Sequence, residues 1–387
     1  MSRWLFTSEA VCEGHPDKVC DQIADAILDE LLKQDPKTRS ACEVTADVNG
    51  LHIMGEITSQ AKVDYAKVAR QVISDIGYTD PELGFCDTCP ITVHVNTQSP
   101  DIAMGVDRDS SHEDEQGAGD QGIMFGYASD ETVAKMPLAI HLSQRMMQRL
   151  TEVRKTGLIP YLRPDGKGQV TVEYEDGVAK RVDAVVLSCQ HAPHVDHQTI
   201  EADIKREVIF KAIPADLIDE RTSFYINPTG RFVIGGPAGD SGLTGRKLIC
   251  DTYGGYARHG GGSFSGKDSS KVDRSAAYMA RYLAKLVVSS GLAKRCEVQL
   301  SYAIGVAKPT SVFVDTFGTG RVENSEICKF LQQHFDLRPS RIIKFLKLRQ
   351  PIFRATANYG HFGRLDQSFP WEEIQAEDLK AISEAFS

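Results

Sequence analysis

Apolar residues recur at every fourth position between residues 16 and 32, at Val19, Ile23, Ile27 and Leu31, with Pro16 at the start of the run. That period marks one face of an α-helix, and proline suits a first helical turn because its N–H is missing and its φ is already helical. The pattern then switches to strict alternation over residues 41–48 and 51–57 around Asn49-Gly50. Alternation about such a dipeptide predicts two antiparallel strands and a tight turn. A second helix is expected near residues 61–76. The order helix, hairpin, helix returns over residues 137–155, 169–188 with a turn at Asp176-Gly177, and 198–211. It returns again over 273–290, the strands 296–303 and 311–317, and 325–335. One α+β unit used three times accounts for the recurrence, although helices and hairpins are common parts that also recur independently. The expected boundaries are 1–110, 111–236 and 237–387.

The first hairpin carries a specific expectation. With Asn49-Gly50 as the turn, Val48 pairs with Leu51 and Glu43 lies opposite Glu56. Cys42, Val44, Ala46 and Val48 then share the core face with Leu51, Ile53 and Ile57, and Glu43, Thr45 and Asp47 share the other face with His52, Met54 and Glu56. Like charges directly opposite destabilise a sheet unless a cation intervenes, so this face either holds a metal ion or ammonium group or is simply solvated.

A chain of 387 residues has room for two or three domains. The formal net charge of −9 leaves no broad basic surface for nucleic acid or an anionic membrane, so a basic site must be local. The first residues lack a signal-peptide run and no later stretch suits a bilayer, which with nine scattered cysteines points to a cytoplasmic protein with reduced thiols. Cys86 and Cys89 have metal-knuckle spacing but no second pair to complete a zinc site. Residues 99–122 carry Asp101, Asp107, Asp109, Glu113, Asp114, Glu115 and Asp120 with little apolar content, and read either as a solvated linker or as a working lid.

Candidate chemistry lies in three segments. Gly260-Gly261-Gly262-Ser263-Phe264-Ser265-Gly266-Lys267-Asp268-Ser269-Ser270-Lys271-Val272-Asp273 joins flexible backbone to cations, as polyphosphate binding requires. Residues 261–267 have P-loop spacing, but Asp268 stands where a P-loop needs Ser or Thr, and no apolar strand precedes the glycines. A glycine-rich surface loop is the alternative. Between Asn227 and Lys247, dense glycine surrounds Arg231, Phe232, Asp240, Arg246 and Lys247, which suits a nucleotide with its phosphates clamped by the two adjacent cations. Glu13-Gly14-His15-Pro16-Asp17-Lys18 gathers an imidazole, carboxylates and an ammonium at a helix N-terminus, where free N–H groups favour an anion. Asp17 could hold magnesium and His15 could donate to an oxygen gaining charge; a capped helix with an incidental histidine is the plainer alternative.

Together with Gly117-Ala118-Gly119-Asp120-Gln121-Gly122 and Tyr359-Gly360-His361-Phe362-Gly363-Arg364, these segments resemble the S-adenosylmethionine synthases, or methionine adenosyltransferases, over essentially the whole chain. Ser263 and Ser269 depart from the usual Ala and Pro of the family's glycine-rich signature, and neither change removes a charge.

The resemblance implies an α+β fold of three similar domains, each a small sheet with helices on one face, about a pseudo-threefold axis. It also implies a dimer with active sites between facing sheets, paired into a tetramer. The implied reaction joins methionine sulfur to C5′ of ATP, expels triphosphate and hydrolyses it to pyrophosphate and phosphate. The implied site places His15 beside the bridging oxygen and Lys167, Arg246, Lys247 and Lys267 along the triphosphate. Asp165, Arg231, Phe232, Asp240 and Ser263 belong to ATP, and Glu56, Gln98, Asp240 and Lys271 to methionine. Asp17 and Asp273 are implied for Mg2+ and Glu43 for K+, while residues 99–122 correspond to a gate that orders over bound substrates. A kinase with a degenerate P-loop and a nucleotide sensor without catalysis are the rival readings.

Overall fold

The computed structural model describes residues 2–97 and 117–387. Gln98 and residues 99–116, including all the acidic positions named above except Asp120, lie outside the described residues.

Each predicted hairpin lies in its own sheet, at the centre of the first two and at one edge of the third. The first contains β2 (Arg39–Asp47) and β3 (Gly50–Thr58), the second β6 (Leu162–Glu175) and β7 (Val178–His191), and the third β10 (Arg295–Tyr302) and β11 (Ser311–Asp315). The preceding helices are α1 (Pro16–Gln34), α3 (Leu138–Lys155) and α5 (Val272–Ser289); the following ones are α2 (Tyr65–Ile76), α4 (His197–Ile204) and α6 (Asn324–His334). In two units the second helix leads to a parallel strand, β4 (Ile91–Asn96) beside β3 and β8 (Ser223–Ile226) beside β7.

The remaining strands tie the units into a ring. β1 (Arg3–Val11), ahead of α1, pairs with β6; β5 (Gly122–Ser129), ahead of α3, pairs with β10; and β9 (Gly242–Leu243), ahead of α5, pairs with β2. Each unit thus lends its leading strand to the sheet of the next, in cyclic order. The fold is mixed α+β with three sheets, as expected.

The three apolar cores lie where helices cover one face of a sheet. In the first, Val19, Ile23 and Ile27 of α1 meet Cys42, Val44 and Ile53. The second gathers Leu142, Met146 and Leu150 of α3 with Val170, Val172 and Val185, and the third Met279, Leu283 and Val287 of α5 with Tyr127, Val298 and Leu300. All nine cysteines are free thiols, and seven of them are buried.

Two expectations change. The hairpin register is displaced by two residues: Asp47 pairs with Gly50, Glu43 with Met54 and Ala41 with Glu56. Asp47 captures the turn one residue early, its Oδ1 accepting the N–H of Asn49 at 2.7 Å. Gly50 becomes a strand residue against the Pro90 carbonyl, where a Cβ would not fit. An even displacement keeps the strand faces, so Glu43 and Glu56 still share one face as diagonal neighbours. Val48, expected in the core, is 61% exposed in the turn.

The second change concerns α1. Its apolar spacing predicts one wet face, yet every residue from Pro16 to Asp29 is buried. Loops from the third unit cover the polar side. Among the described residues no helix is long and apolar enough to cross a membrane.

Candidate functional site

His15 caps α1, its Nδ1 accepting the N–H of Asp17 at 3.2 Å. An accepting Nδ1 places the ring proton on Nε2, so the side chain offers a donor at a helix N-terminus. Burial and the Lys247 ammonium press its pKa down from 6.5 to about 4, which keeps the ring neutral near pH 7. Asp17 is 2% exposed; its Oδ1 accepts the N–H of Leu243 at 3.0 Å and its Oδ2 pairs with Lys247. Burial acts to raise its pKa, but the Lys247 bond and the Leu243 N–H outweigh it and hold the carboxyl below its usual range.

The loop carrying Arg246 and Lys247 reaches this point through β9. Gly242 lies so close to the Pro16 carbonyl that no Cβ would fit, and Thr244 Oγ1 accepts the N–H of Val44 at 2.8 Å. Lys247 is thereby set beside the end of α1, with Arg246 Nε 3.6 Å from Asp17.

The third segment also closes on the first sheet. Lys267 bridges to Ala41 through the backbone, and the Gly266 carbonyl accepts from Cys42 N–H at 3.1 Å and Ser40 Oγ at 2.9 Å. Gly266 has φ +82° and its missing Cβ would overlap the Cys42 carbonyl, so glycine is obligatory there. Lys267 Nζ bonds Asp273 at 2.6 Å, and Lys271 Nζ bonds Asp268 at 2.7 Å. Ser263 packs against Gly245, joining the second and third segments. The short helix Leu248–Asp251 and a non-strand connection precede the glycines, so the P-loop fold is absent, as its sequence mismatch indicated.

Lys167 projects from β6 beside β1, its Nζ 2.8 Å from Glu9, and its charge is felt at His15. Asp165, 8% exposed, accepts the Gly236 N–H at 2.8 Å; burial pushes its pKa up to about 6, with Asp240 adding to the rise and Lys247 opposing it. Asp240 and Arg231 are exposed on the same glycine-rich stretch, while Phe232 is anchored by two backbone-to-His191 bonds. Glu43 is half-buried, and its pKa is pushed up to about 7 by burial, with Asp21 and Glu56 adding and Lys267 opposing. Exposed Glu56 lies diagonal to it on the sheet.

The structure therefore draws His15, Asp17, Asp165, Lys167, Arg246 and Lys247 into one cluster. Glu43, Ser263, Lys267, Lys271 and Asp273 form a second, joined to the first through Gly245. Arg231, Phe232, Asp240 and Glu56 stand at the margins.

Family models match the chain in order: the N-terminal, central and C-terminal domains of S-adenosylmethionine synthetase match residues 3–100, 115–232 and 234–373. The chain belongs to the S-adenosylmethionine synthetase family. It is 56% identical over 389 residues to S-adenosylmethionine synthase of Clostridium tetani (strain Massachusetts / E88), covering 98% of this chain and 100% of that one. It is 55% identical over 388 residues to the synthase of Brachyspira hyodysenteriae (strain ATCC 49526 / WA1), covering 98% of each. The activity class of the family is methionine adenosyltransferase, and synthesis of S-adenosylmethionine from ATP and methionine is the function that membership assigns.

Sequence reasoning gave Lys18 no specific task and passed over Asp21, Asp25, Asp251 and Arg274. Lys18 is 2% exposed and pairs with Asp21 and Asp251. Arg274 and Asp25 form an ion pair with no exposure on either side. The available signal was aspartate at every fourth position of α1, at 17, 21, 25 and 29.

Proposed function

We propose that the clustered cations drive attack of methionine sulfur on C5′ of ATP with the whole triphosphate as leaving group. The observation that carries this reading is neutral His15 at the start of α1, offering Nε2–H among Lys167, Arg246 and Lys247. A thioether carries no proton to remove, so the site needs no general base. What it needs is stabilisation of the oxygen that gains charge as the C5′–O bond breaks, and donors fixed before the reaction supply that best.

Lys267 extends the cationic path along the triphosphate, and the same cations serve its hydrolysis to pyrophosphate and phosphate. Asp165, Arg231, Phe232, Asp240 and Ser263 hold the nucleoside and phosphates; Glu56, Gln98, Asp240 and Lys271 hold methionine, bringing sulfur into line with C5′.

Among the described residues no three His, Cys, Asp or Glu side chains form a metal-holding group. Magnesium typically binds through one or two carboxylates while phosphates and water complete its shell. Asp17 and Asp273, each already facing an ammonium, are the carboxylates that would hold it. Bound Mg2+ would neutralise phosphate charge. Glu43, whose carboxylate is destabilised by burial and acidic neighbours, would take K+.

The sheet faces opposite the helices expose Leu5, Met54 and Phe313 at 54%, 39% and 45%. Their burial in a dimer, paired again into a tetramer with active sites at the dimer interface, is the assembly we favour. Nine free thiols suit a cytoplasmic setting.

The direct test is mass spectrometry of products after incubation with ATP, methionine, Mg2+ and K+, beside a control without methionine. S-adenosylmethionine with pyrophosphate and phosphate supports the proposal. ADP with a phosphorylated acceptor would replace it by the kinase reading.

A further inference from the structure

Four aspartates on α1 each accept backbone N–H groups from a different place in the third unit. Asp17 Oδ1 takes Leu243 at 3.0 Å, Asp21 Oδ1 takes Gly245 at 2.8 Å, and Asp25 Oδ1 takes Gly266 at 2.9 Å. Asp29 takes Phe353 at 3.0 Å and Arg354 at 2.8 Å. Spacing by four residues advances about 6 Å along the axis and keeps these side chains on one stripe. A rigid helix thus reads off the positions of separate loops.

Two of these bonds sit beside the cations. Gly245 immediately precedes Arg246 and Lys247, and Gly266 immediately precedes Lys267. Asp21 and Asp25 have no exposed surface, so each is held by a second buried partner rather than by water. Asp21 Oδ2 accepts from Lys18 Nζ at 3.0 Å. Asp25 receives Arg274 Nη1 and Nη2 at 2.7 and 2.8 Å, and the same Nη1 donates to the carbonyls of Phe264 and Lys267 at 3.0 Å each. The Asp25–Arg274 unit therefore grips the loop on both sides of Gly266.

We propose that Asp21 and Asp25 are positioning residues that fix the Arg246–Lys247 loop and the Lys267 loop to one helix, so that both sets of cations face His15 before substrate arrives. Neither carboxylate touches the reacting atoms in this role; each acts through a backbone N–H next to a cation. Charged acceptors make the strongest of such bonds, and misplacing a catalytic group by about 1 Å can lower rates by about 10²-fold. The role rests on the reading of the cluster as a polyphosphate site.

Asp29 supplies the control, since it makes the same kind of bond from the same stripe to backbone away from the cations. The test compares Asp21→Asn, Asp25→Asn and Asp29→Asn in the full-length enzyme by thermal melting, by kcat and KM for ATP, and by calorimetric binding of tripolyphosphate with Mg2+. All three should melt earlier. Only Asp21→Asn and Asp25→Asn should lose kcat/KM for ATP, by about 10²-fold, with weakened tripolyphosphate binding in the folded protein. Variants at 21 and 25 that melt early yet bind and turn over like Asp29→Asn would overturn the proposal.

Amide exchange of the wild-type protein covers the case in which those variants do not fold. Gly245 and Gly266 should be protected as well as Phe353 and Arg354, and exchange at open-loop rates would overturn the proposal. A wild type that protects these amides but does not bind tripolyphosphate would instead refute the polyphosphate reading, which keeps the two failures apart.

Discussion

His15 Nδ1 accepts the backbone N–H of Asp17 at 3.2 Å, so the residue that caps α1 is also the one whose free ring nitrogen carries a proton. Capping and donation are one arrangement. Replacing His15 with Ala removes the donor and should lower kcat by about 10²–10³-fold with a smaller change in the KM for methionine, as loss of one transition-state donor does elsewhere. Steady-state kinetics at saturating Mg2+ provide the check.

The same residue predicts a stability effect with a definite sign. Its folded pKa, about 4, lies below its ordinary value of 6.5. The unfolded chain therefore takes the proton first, and stability is lost as pH falls from 6.5 towards 4. His15→Asn should lose less stability than the wild type over that window, measured by denaturant unfolding at a series of pH values. Equal losses in both proteins would contradict the assigned environment.

Glu43 gives a second pH dependence, in cation activation rather than in stability. Burial and acidic neighbours raise its pKa to about 7, so it is increasingly protonated below that value. Activation by K+ should be present above about pH 7 and fade below it. Glu43→Gln should abolish it, and an NMR titration of Glu43 should move to lower pH when K+ is added.

Glycines of the 260–273 segment should differ sharply in tolerance. At Gly266 a methyl group would meet the Cys42 carbonyl, whereas a methyl group at Gly261 would meet nothing within 4 Å. Gly261→Ala carries only the left-handed backbone penalty of roughly 1–2 kcal/mol. Gly266→Ala must also displace Lys267 and should weaken ATP binding, whereas Gly261→Ala should not; isothermal titration separates the two.

The sequence pattern identified the three hairpins because strand alternation and turn dipeptides are local. The ring of exchanged strands was not legible, since β1, β5 and β9 each pair with a sheet built from another part of the chain. Something similar happened in α1. Val19, Ile23, Ile27 and Leu31 announced its core face and Asp17 stood out beside His15, but nothing in the spacing gave Asp21, Asp25 or Asp29 a partner. Only the loops brought in from the third unit reveal them as acceptors of buried N–H groups. The site cations were visible as residue types near glycines, whereas their pairing with Glu9, Asp17, Asp268 and Asp273 depends on contacts that spacing alone does not specify.

The position of an isotope in the products reports which bond to the bridging oxygen breaks. ATP carrying ¹⁸O in the C5′–O–Pα bridge, incubated with methionine, Mg2+ and K+, should deliver all of the label to the polyphosphate products and none to S-adenosylmethionine. Label retained on the adenosine side, or ADP as the nucleotide product, would contradict attack at C5′.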